Sequence, residues 1–353
     1  LVMAYMVIVS YQYNAGGAVL YTILADNTGT SIISIELATI IAAVFIIAYT
    51  MLAGLLSVAY TDAANSIIMT LALIISLPIL WIKAGSWSGM ETAFAAMNKS
   101  QHMQFGGVYS TMDIINFCLP PFLLVIGDAN MYQRFSASKD VQSARYSTTI
   151  LVFAVLFIEL LIIMSAWVSS SMIPEAEVGK HVLIYAAHQF LPTFLGAIML
   201  TTIVGIIIST ADSFLLVPAN TLIRDIYLNY INPQASEKNI VRLSRLLVLL
   251  LGIIAYIVSI GFSRSAGFFE RALYAYTIYG AAITPALVAA LFWRGATKEG
   301  AVASIICGTL ITLFWKELPG LWFWLPTKWY ISLDEVLPAI SGSLLALIGV
   351  SYL

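Results

Sequence analysis

The chain has 353 residues, of which 61% are hydrophobic and 10% are charged, and its formal net charge is −2. A soluble domain normally holds about 45–50% apolar and about 25% charged residues, so one water-soluble core could not bury this much apolar surface. No basic cluster suggests a nucleic-acid partner, and the composition predicts membrane spans of roughly 20 apolar residues.

Ten apolar stretches are long enough, or nearly so, to span a bilayer. Each is predicted to be a helix, because transmembrane barrel strands alternate every second residue and are only about 9–11 residues long. The stretches are 1–24, 31–54, 62–84, 113–134, 146–171, 193–223, 240–262, 268–293, 299–316 and 335–353. A shorter amphipathic segment, 181–192, is predicted to be a helix outside the membrane. The sequence therefore predicts an all-α, polytopic membrane protein with one domain over residues 1–353.

Basic residues indicate the orientation of these spans. The loops 134–145, 224–245 and 294–299 hold three, four and two Lys or Arg residues, and all three fall on one side if every span crosses. The longer loops of the opposite side hold seven, so the first set is predicted to be cytoplasmic. Because the chain begins and ends inside apolar runs, we expect it to be part of a longer protein.

The most unusual polar residues lie in "GIIISTADSFLLVPAN", residues 205–220. An ionisable side chain at membrane depth costs about 2.5–3.5 kcal/mol, so Asp212 needs a partner or a function. Hydroxyl and carbonyl oxygens suit small hard cations, and the neighbouring Ser209 and Thr210 could supply two ligands of a sodium ion. The alternative is that both hydroxyls bond back to carbonyls of their own helix.

A second polar pair, Thr61 and Asp62, stands before the third apolar stretch. A short polar side chain in that position predicts a helix N-cap. A carboxylate at a helix N-terminus is also a plausible residue of an ion path, and the two interpretations are compatible.

A third group follows Pro120 and Pro121 in "FLLVIGDANMYQRF". Freed backbone groups at membrane depth are tolerated where they line a cavity, so Asp128, Asn130 and Gln133 could face a solute. The alternative is that this segment is the cytoplasmic end of the span, with Arg134 as its anchor.

A fourth segment, 274–293, is rich in Gly, Ala, Thr and Tyr, which favours close helix packing. Thr277 and three tyrosines offer hydroxyls there. Neither the two cysteines nor the three histidines have metal-ligand spacing. No nucleophile constellation or phosphate loop indicates an enzyme.

Four motifs together resemble the sodium/solute symporter family, which includes the sodium/proline and sodium/glucose transporters. They are "AGLLSVAYTDAANSIIM" (53–69), "YQRFSASKDVQSAR" (132–145), "STADSFLLVPANTLIRDIY" (209–227) and "GAAITPALVAALFWRGATKEGAVASIICG" (280–308). They occur in the family's order and the resemblance covers essentially the whole chain. Ala53, Asn65 and Thr284 depart from the family's usual residues.

The resemblance implies a LeuT-type fold built from inverted helical repeats. The first two core helices would lie upstream, so the domain is expected to be truncated at its N-terminus. Because the chain also ends inside an apolar run, truncation at the C-terminus is expected as well.

The resemblance also assigns roles to residues. Ser209 and Thr210 match the hydroxyl ligands of the family's sodium site, and the carbonyl of Ile206 matches its backbone ligand. Asp62 and Asp212 are expected in the ion path, with Asp212 outside direct coordination. Asp128 and Thr277 fall near solute-contacting positions of the family, and Asn130 and Gln133 are expected to contact the solute from the segment that follows Asp128.

The implied function is that of a sodium-coupled secondary transporter, not an enzyme, in a cell membrane and specifically a bacterial inner membrane. It would import a small organic solute such as a sugar, amino acid or carboxylate by alternating access. Na⁺ is the coupling ion, no cofactor is expected, and the partners are the solute, Na⁺ and the lipid bilayer. Asp128 would repel a bare carboxylate and favour a hydroxyl or cationic group. Two alternatives are a transporter-like sensor domain of a bacterial signalling protein and a symporter coupled to protons.

Overall fold

Long runs of Leu, Ile, Val and Ala form helices here, because a helix satisfies backbone polar groups within the same apolar segment. The structure is a computed structural model that describes residues 2–25, 31–52, 55–173, 181–262, 268–315 and 333–353. Within these ranges thirteen α-helices are present. They are α1 (Val2–Ile23), α2 (Ile35–Leu52), α3 (Leu55–Lys83), α4 (Ser86–Ala96), α5 (Thr111–Gly127), α6 (Ala129–Ser136), α7 (Val141–Ser170), α8 (Val182–Gln189), α9 (Thr193–Thr221), α10 (Glu237–Phe262), α11 (Phe268–Phe292), α12 (Lys298–Phe314) and α13 (Val336–Tyr352).

Shorter elements complete the described chain. A π-helical segment, Leu222–Ile231, continues α9, and a 3₁₀ turn covers Ser100–Met103. The predicted short helix within 181–192 is α8. Ala53, one of the departures from the family motif, lies outside the described residues.

All ten predicted apolar stretches coincide with helices, but the count of spans is lower. Among the described residues seven helices, not ten, are long and apolar enough to cross a membrane by length and composition. The polar run "SYQYN" at 10–14 lowers the hydropathy of α1. The helices α12 and α13 have 17 residues each. At about 1.5 Å per residue they extend about 25 Å, less than the roughly 30 Å of a hydrocarbon core.

Short polar side chains begin several helices by accepting hydrogen bonds from free backbone N–H groups. Ser110 and Asp113 form a capping box at α5, with the Asp113 carboxylate 2.8 Å from the Ser110 nitrogen. Asp140 caps α7 by accepting from the Ser143 nitrogen at 2.7 Å, and this bond lowers the pKa of the Asp140 carboxyl. Thr297 caps α12 in the same way.

The helices group into two units, each described here by itself. One unit comprises residues 1–8, 108–133 and 265–353, and the other comprises 9–107 and 134–264. In the first, α5 packs against α11, and α12 packs against α11 and α13. The hydroxyls of Ser304 and Ser343 lie 2.8 Å apart between α12 and α13. In the second, α9 packs against α2, α3, α8 and α10. The expectation of a single domain stays a prediction.

Candidate functional site

In the second unit, the middle of α9 carries a polar network that connects it to α3 and α6. The Ser209 hydroxyl donates a hydrogen bond to Asp62 Oδ1 on α3. Asp62 Oδ2 accepts from the Arg134 guanidinium at 2.7 Å, and that guanidinium also donates to the Ser213 hydroxyl at 3.2 Å. We call Asp62, Arg134, Ser209 and Ser213 the acid–arginine network. It neutralises a carboxylate that is only 15% exposed.

The predicted N-cap at Thr61 and Asp62 is wrong. Both residues lie inside α3, which already includes Leu55, because the apolar residues before them continue the helix. The Thr61 hydroxyl donates to the carbonyl of Val58, at 3.0 Å, as hydroxyls do within membrane helices. Asp62 therefore projects from the side of a continuous helix, where it meets α9.

The predicted sodium ligands lie around this point of α9. Because successive helix residues are rotated by about 100°, Ile206 and Thr210 share a face, and Ser209 lies about 100° from Thr210. The side chains of Ile206, Ser209 and Thr210 are all half-buried. The Ser209 proton is directed to Asp62, not back to its own helix, which leaves the hydroxyl's lone pairs for another partner. The ligand roles of the three residues stay predictions.

Close approach of α3 and α9 fixes the position of the network. A Cβ atom added to Gly205 would lie 2.9 Å from the Asn65 side-chain amide, closer than real Cβ contacts allow. Gly205 is one turn before Ser209, and Asn65 is nearly one turn after Asp62. The glycine therefore brings the two helices together where the serine reaches the carboxylate.

In the first unit, the chain leaves helical geometry between α5 and α6, at Asp128, whose φ and ψ are −67° and 111°. The helix continues through Pro120 and Pro121 and breaks seven residues later. The Tyr279 hydroxyl of α11 bridges the break: it accepts from the Ala129 nitrogen at 3.0 Å and donates to the Gly127 carbonyl at 2.8 Å. One side chain thus satisfies two backbone groups that the break releases.

Asp128 is held at the same break. It is only 8% exposed. Its Oδ1 accepts from the Tyr5 hydroxyl at 2.9 Å and from the Asn130 nitrogen at 3.1 Å. The rings of Tyr5 and Tyr279 stack with their centroids 5.2 Å apart. Asp128 therefore begins α6 and joins it to α1 and α11.

The other predicted solute residues differ in how close they lie to the helix break. Asn130 and Gln133 are half-buried and, being three residues apart on α6, lie on neighbouring positions of one face. Thr277 is buried in α11, about 200° around that helix from Tyr279, so Tyr279 is the residue of α11 that contacts the break. The four solute assignments stay predictions.

Several residues of these sites were not identified from the sequence. The sequence indicates that Arg134 is a basic residue at the end of a span. It does not indicate that Arg134 pairs with Asp62, which is 72 residues away. Tyr5 stands in an apolar segment where a tyrosine usually has a packing role. Tyr279 is one of the three tyrosines of 274–293, and nothing in the sequence distinguishes it from the other two. No group of three or more His, Cys, Asp or Glu occurs in the described part of the chain.

Comparisons with known proteins agree with the resemblance of the four sequence motifs to the sodium/solute symporter family. A family model described as the sodium:solute symporter family matches residues 1–308. The sodium/proline symporter of Haemophilus influenzae is 28% identical over 97% of this chain and 68% of its own length. In Bacillus subtilis, the osmoregulated proline transporter OpuE is 27% identical over 76% of this chain and 55% of its own length. The high-affinity proline transporter PutP of that organism is 26% identical over 87% of this chain and 63% of its own length.

A solved structure shares the fold. The substrate-bound, outward-open state of a Na⁺-coupled sialic acid symporter matches with a TM-score of 0.69 and 15% sequence identity. The match covers 99% of this chain and 73% of the other. The predicted LeuT-type, all-α membrane fold is thereby confirmed.

Proposed function

This chain belongs to the sodium:solute symporter family, a family of membrane transporters and not of enzymes, and we propose that it couples Na⁺ entry to the import of a small organic solute. The observation that carries the proposal is the meeting of three motifs that are far apart in the sequence. Asp62 comes from the first, Arg134 from the second, and Ser209 and Ser213 from the third. A network assembled from all three is expected where the family's common chemistry takes place.

The sodium ion is proposed to bind at Ser209, Thr210 and the carbonyl of Ile206. Hydroxyl and carbonyl oxygens favour a hard monovalent cation over a transition metal. The Asp62 carboxylate accepts the Ser209 proton and so orients the Ser209 hydroxyl, and Arg134 balances the charge of Asp62.

The solute is proposed to be an amino acid, with proline as the first candidate. The three curated relatives described above are named as proline symporters or transporters. The helix break carries the Asp128 carboxylate, and a carboxylate suits a solute with a cationic nitrogen. Asn130 and Gln133 follow on α6 and would contact the rest of the solute.

The lipid bilayer is the remaining proposed partner. Among the seven candidate spans of the described residues, Val141–Ser170 is the one least covered by the rest of the chain. Only 11% of the residues in its most apolar part are buried. Ile150, Phe153 and Leu156 on it are more than 60% exposed. Acyl chains are the natural neighbours of such a surface. The protein is a multi-pass membrane protein of the cell membrane, and the bacterial inner membrane is the proposed location.

The test is proline uptake by the full-length protein in proteoliposomes, with and without an inward Na⁺ gradient. We expect accumulation only with the gradient, and loss of that accumulation in Ser209→Ala/Thr210→Ala. The matched control is Thr201→Ala/Thr202→Ala, an adjacent hydroxyl pair of the same helix whose members bond back to Ala197 and Met199. Uptake that follows a pH gradient and ignores Na⁺ would indicate proton coupling. Solute binding without accumulation would indicate a sensor.

A further inference from the structure

The first turns of α10, at the end that is predicted to be cytoplasmic, carry all three basic residues of that helix on one face. Lys238, Arg242 and Arg245 are four and three residues apart, which places them within an arc of about 60° around the helix axis. All three side chains are exposed. The single acid of α10, Glu237, lies about 140° around the helix from Arg242 and so points away from this group. We call Lys238, Arg242 and Arg245 the basic face.

The basic face has no counter-charge within the described part of the chain. The ion pair found there joins Arg134 to Asp62, and none of the three basic side chains of α10 takes part in one. Like charges three and four residues apart on a helix repel each other. An anion bound between them would relieve that repulsion, so the arrangement indicates an anionic partner.

An apolar stripe continues from the basic face toward the middle of α10. Leu246, Ile253 and Ile257 lie within about 60° of Arg242 around the helix axis. Each of these three apolar side chains is between 45% and 62% exposed. The opposite side of α10 is covered by protein: Leu251, about 180° from Arg242, is buried, and α10 packs against α2 and α9. The exposed side therefore combines a cationic end with an apolar surface.

The basic face lies at the depth of lipid phosphate groups when α10 crosses the membrane. Arg242 and Phe262, the last residue of α10, are 20 residues apart. At about 1.5 Å per residue they are separated by about 30 Å, which is the thickness of a hydrocarbon core. Arg245 lies about one turn deeper, and its long side chain can extend back to the interface while its methylene groups stay in the apolar region.

We propose that the basic face binds an anionic phospholipid of the cytoplasmic leaflet. The guanidinium groups of Arg242 and Arg245 donate to the phosphate oxygens, for which their planar geometry is suited, and Lys238 adds a third positive charge. The acyl chains lie along Leu246 and Ile253. A free phosphate ion would gain from the charges alone, so the apolar stripe favours a lipid as the occupant. This inference is independent of the proposed solute and coupling ion.

The test is native mass spectrometry of the purified full-length protein in detergent, titrated with dioleoylphosphatidylglycerol. The quantity measured is the dissociation constant of the most tightly bound lipid. It should rise by at least about tenfold in Lys238→Gln/Arg242→Gln/Arg245→Gln, because each basic residue near an anionic membrane surface contributes about fivefold. Each single glutamine variant should weaken binding by about fivefold, which keeps the inference testable if the triple variant does not fold.

Two further variants separate the basic face from net charge. Lys139→Gln/Arg294→Gln/Lys298→Gln removes three exposed positive charges from other segments and should bind the lipid as wild type does. Arg242→Lys/Arg245→Lys keeps the charge of the basic face and should retain most of the affinity. An equal loss in the control triple variant would overturn the inference, because net charge and not the basic face would then determine binding.

The lipid itself is tested with two other ligands. Dioleoylphosphatidylcholine, which has the same acyl chains without net charge, should bind more weakly than the anionic lipid to wild type. Inorganic phosphate should compete poorly, and displacement of the lipid by an equal concentration of phosphate would identify a free-anion site and overturn the assignment to a lipid. Affinity for dioleoylphosphatidylglycerol equal to that of wild type in the triple glutamine variant, or in all three single variants, would overturn the inference as a whole.

Discussion

Replacing Asp62 with asparagine removes the negative charge to which Ser209 and Arg134 are both hydrogen-bonded, and it keeps the shape of the side chain. An amide oxygen can still accept from Ser209. A neutral hydrogen bond contributes about 0.5–1.5 kcal/mol, against about 1.5–3 kcal/mol for one to a charged group. The loss in the bond is therefore about 1–1.5 kcal/mol. Because the bond exists with and without the ion, this sets the upper limit of the effect on Na⁺ binding, which is about five- to tenfold at 1.4 kcal/mol per factor of ten. The unpaired Arg134 guanidinium would repel the ion and act in the same direction.

The assay is Na⁺ binding to the full-length protein, which does not depend on the identity of the solute. Asp62→Asn/Arg134→Gln removes both charges and should recover part of the loss, as a coupled pair requires. Asp225→Asn is the control, because it changes the same charge at an exposed position of the π-helical segment. A dissociation constant within twofold of wild type in Asp62→Asn would refute the idea that Asp62 orients Ser209.

Three further predictions concern the packing, the helix break and a cap. Gly205→Val should weaken Na⁺ binding, because its side chain would displace the Asn65 amide, which lies nearly one turn after Asp62 on α3. Tyr279→Phe should lower the thermal unfolding temperature of the purified protein, because each buried backbone group left unsatisfied at the break costs about 1–3 kcal/mol. The lowered pKa of Asp140 means that its cap on α7 stabilises the native state above the unfolded pKa of about 3.9. That stability should be lost as the pH falls through the lowered folded value, measured by hydrogen exchange at the first turn of α7, and it should be absent in Asp140→Ala.

Each of these has a matched comparison. Gly261→Ala is the control for Gly205, since nothing lies within 4 Å of a Cβ at Gly261. Tyr352→Phe removes a hydroxyl from an exposed ring and should leave the unfolding temperature unchanged. An unfolding temperature of Tyr279→Phe equal to that of Tyr352→Phe would contradict the bridging role. Protection of the amides at the start of α7, expressed relative to an unstructured peptide at the same pH, that does not change with pH in wild type would contradict the cap.

The helices were predictable and the contacts between them were not. An apolar run of twenty residues has few alternatives to a helix in a membrane, so the ten stretches coincide with helices. Helix periodicity also gives the face on which Asp212 or Thr210 lies. It does not give the neighbour on that face: the bond from Tyr279 to Gly127 joins residues 152 apart, and composition carries no record of it.

Local rules also failed where tertiary contacts compete with them. Thr61 and Asp62 have the residue types of an N-cap, yet α3 continues through them because packing against α9 stabilises the longer helix. Pro120 and Pro121 predict an interruption, but the chain departs from helical geometry only at Asp128, where Tyr279 satisfies the released groups. At the break, a residue from another helix satisfies the groups that are released where α5 ends.

The pairing of Arg134 with Asp62 has an electrical consequence. The two side chains together carry no net charge, so a membrane potential exerts little net force on the pair when the surrounding helices move. The transported ion remains the charge on which the voltage acts, at about 2.3 kcal/mol per elementary charge and 100 mV. The acid–arginine network thus keeps a carboxylate close to the ion's route while leaving the electrical work of transport to the ion itself.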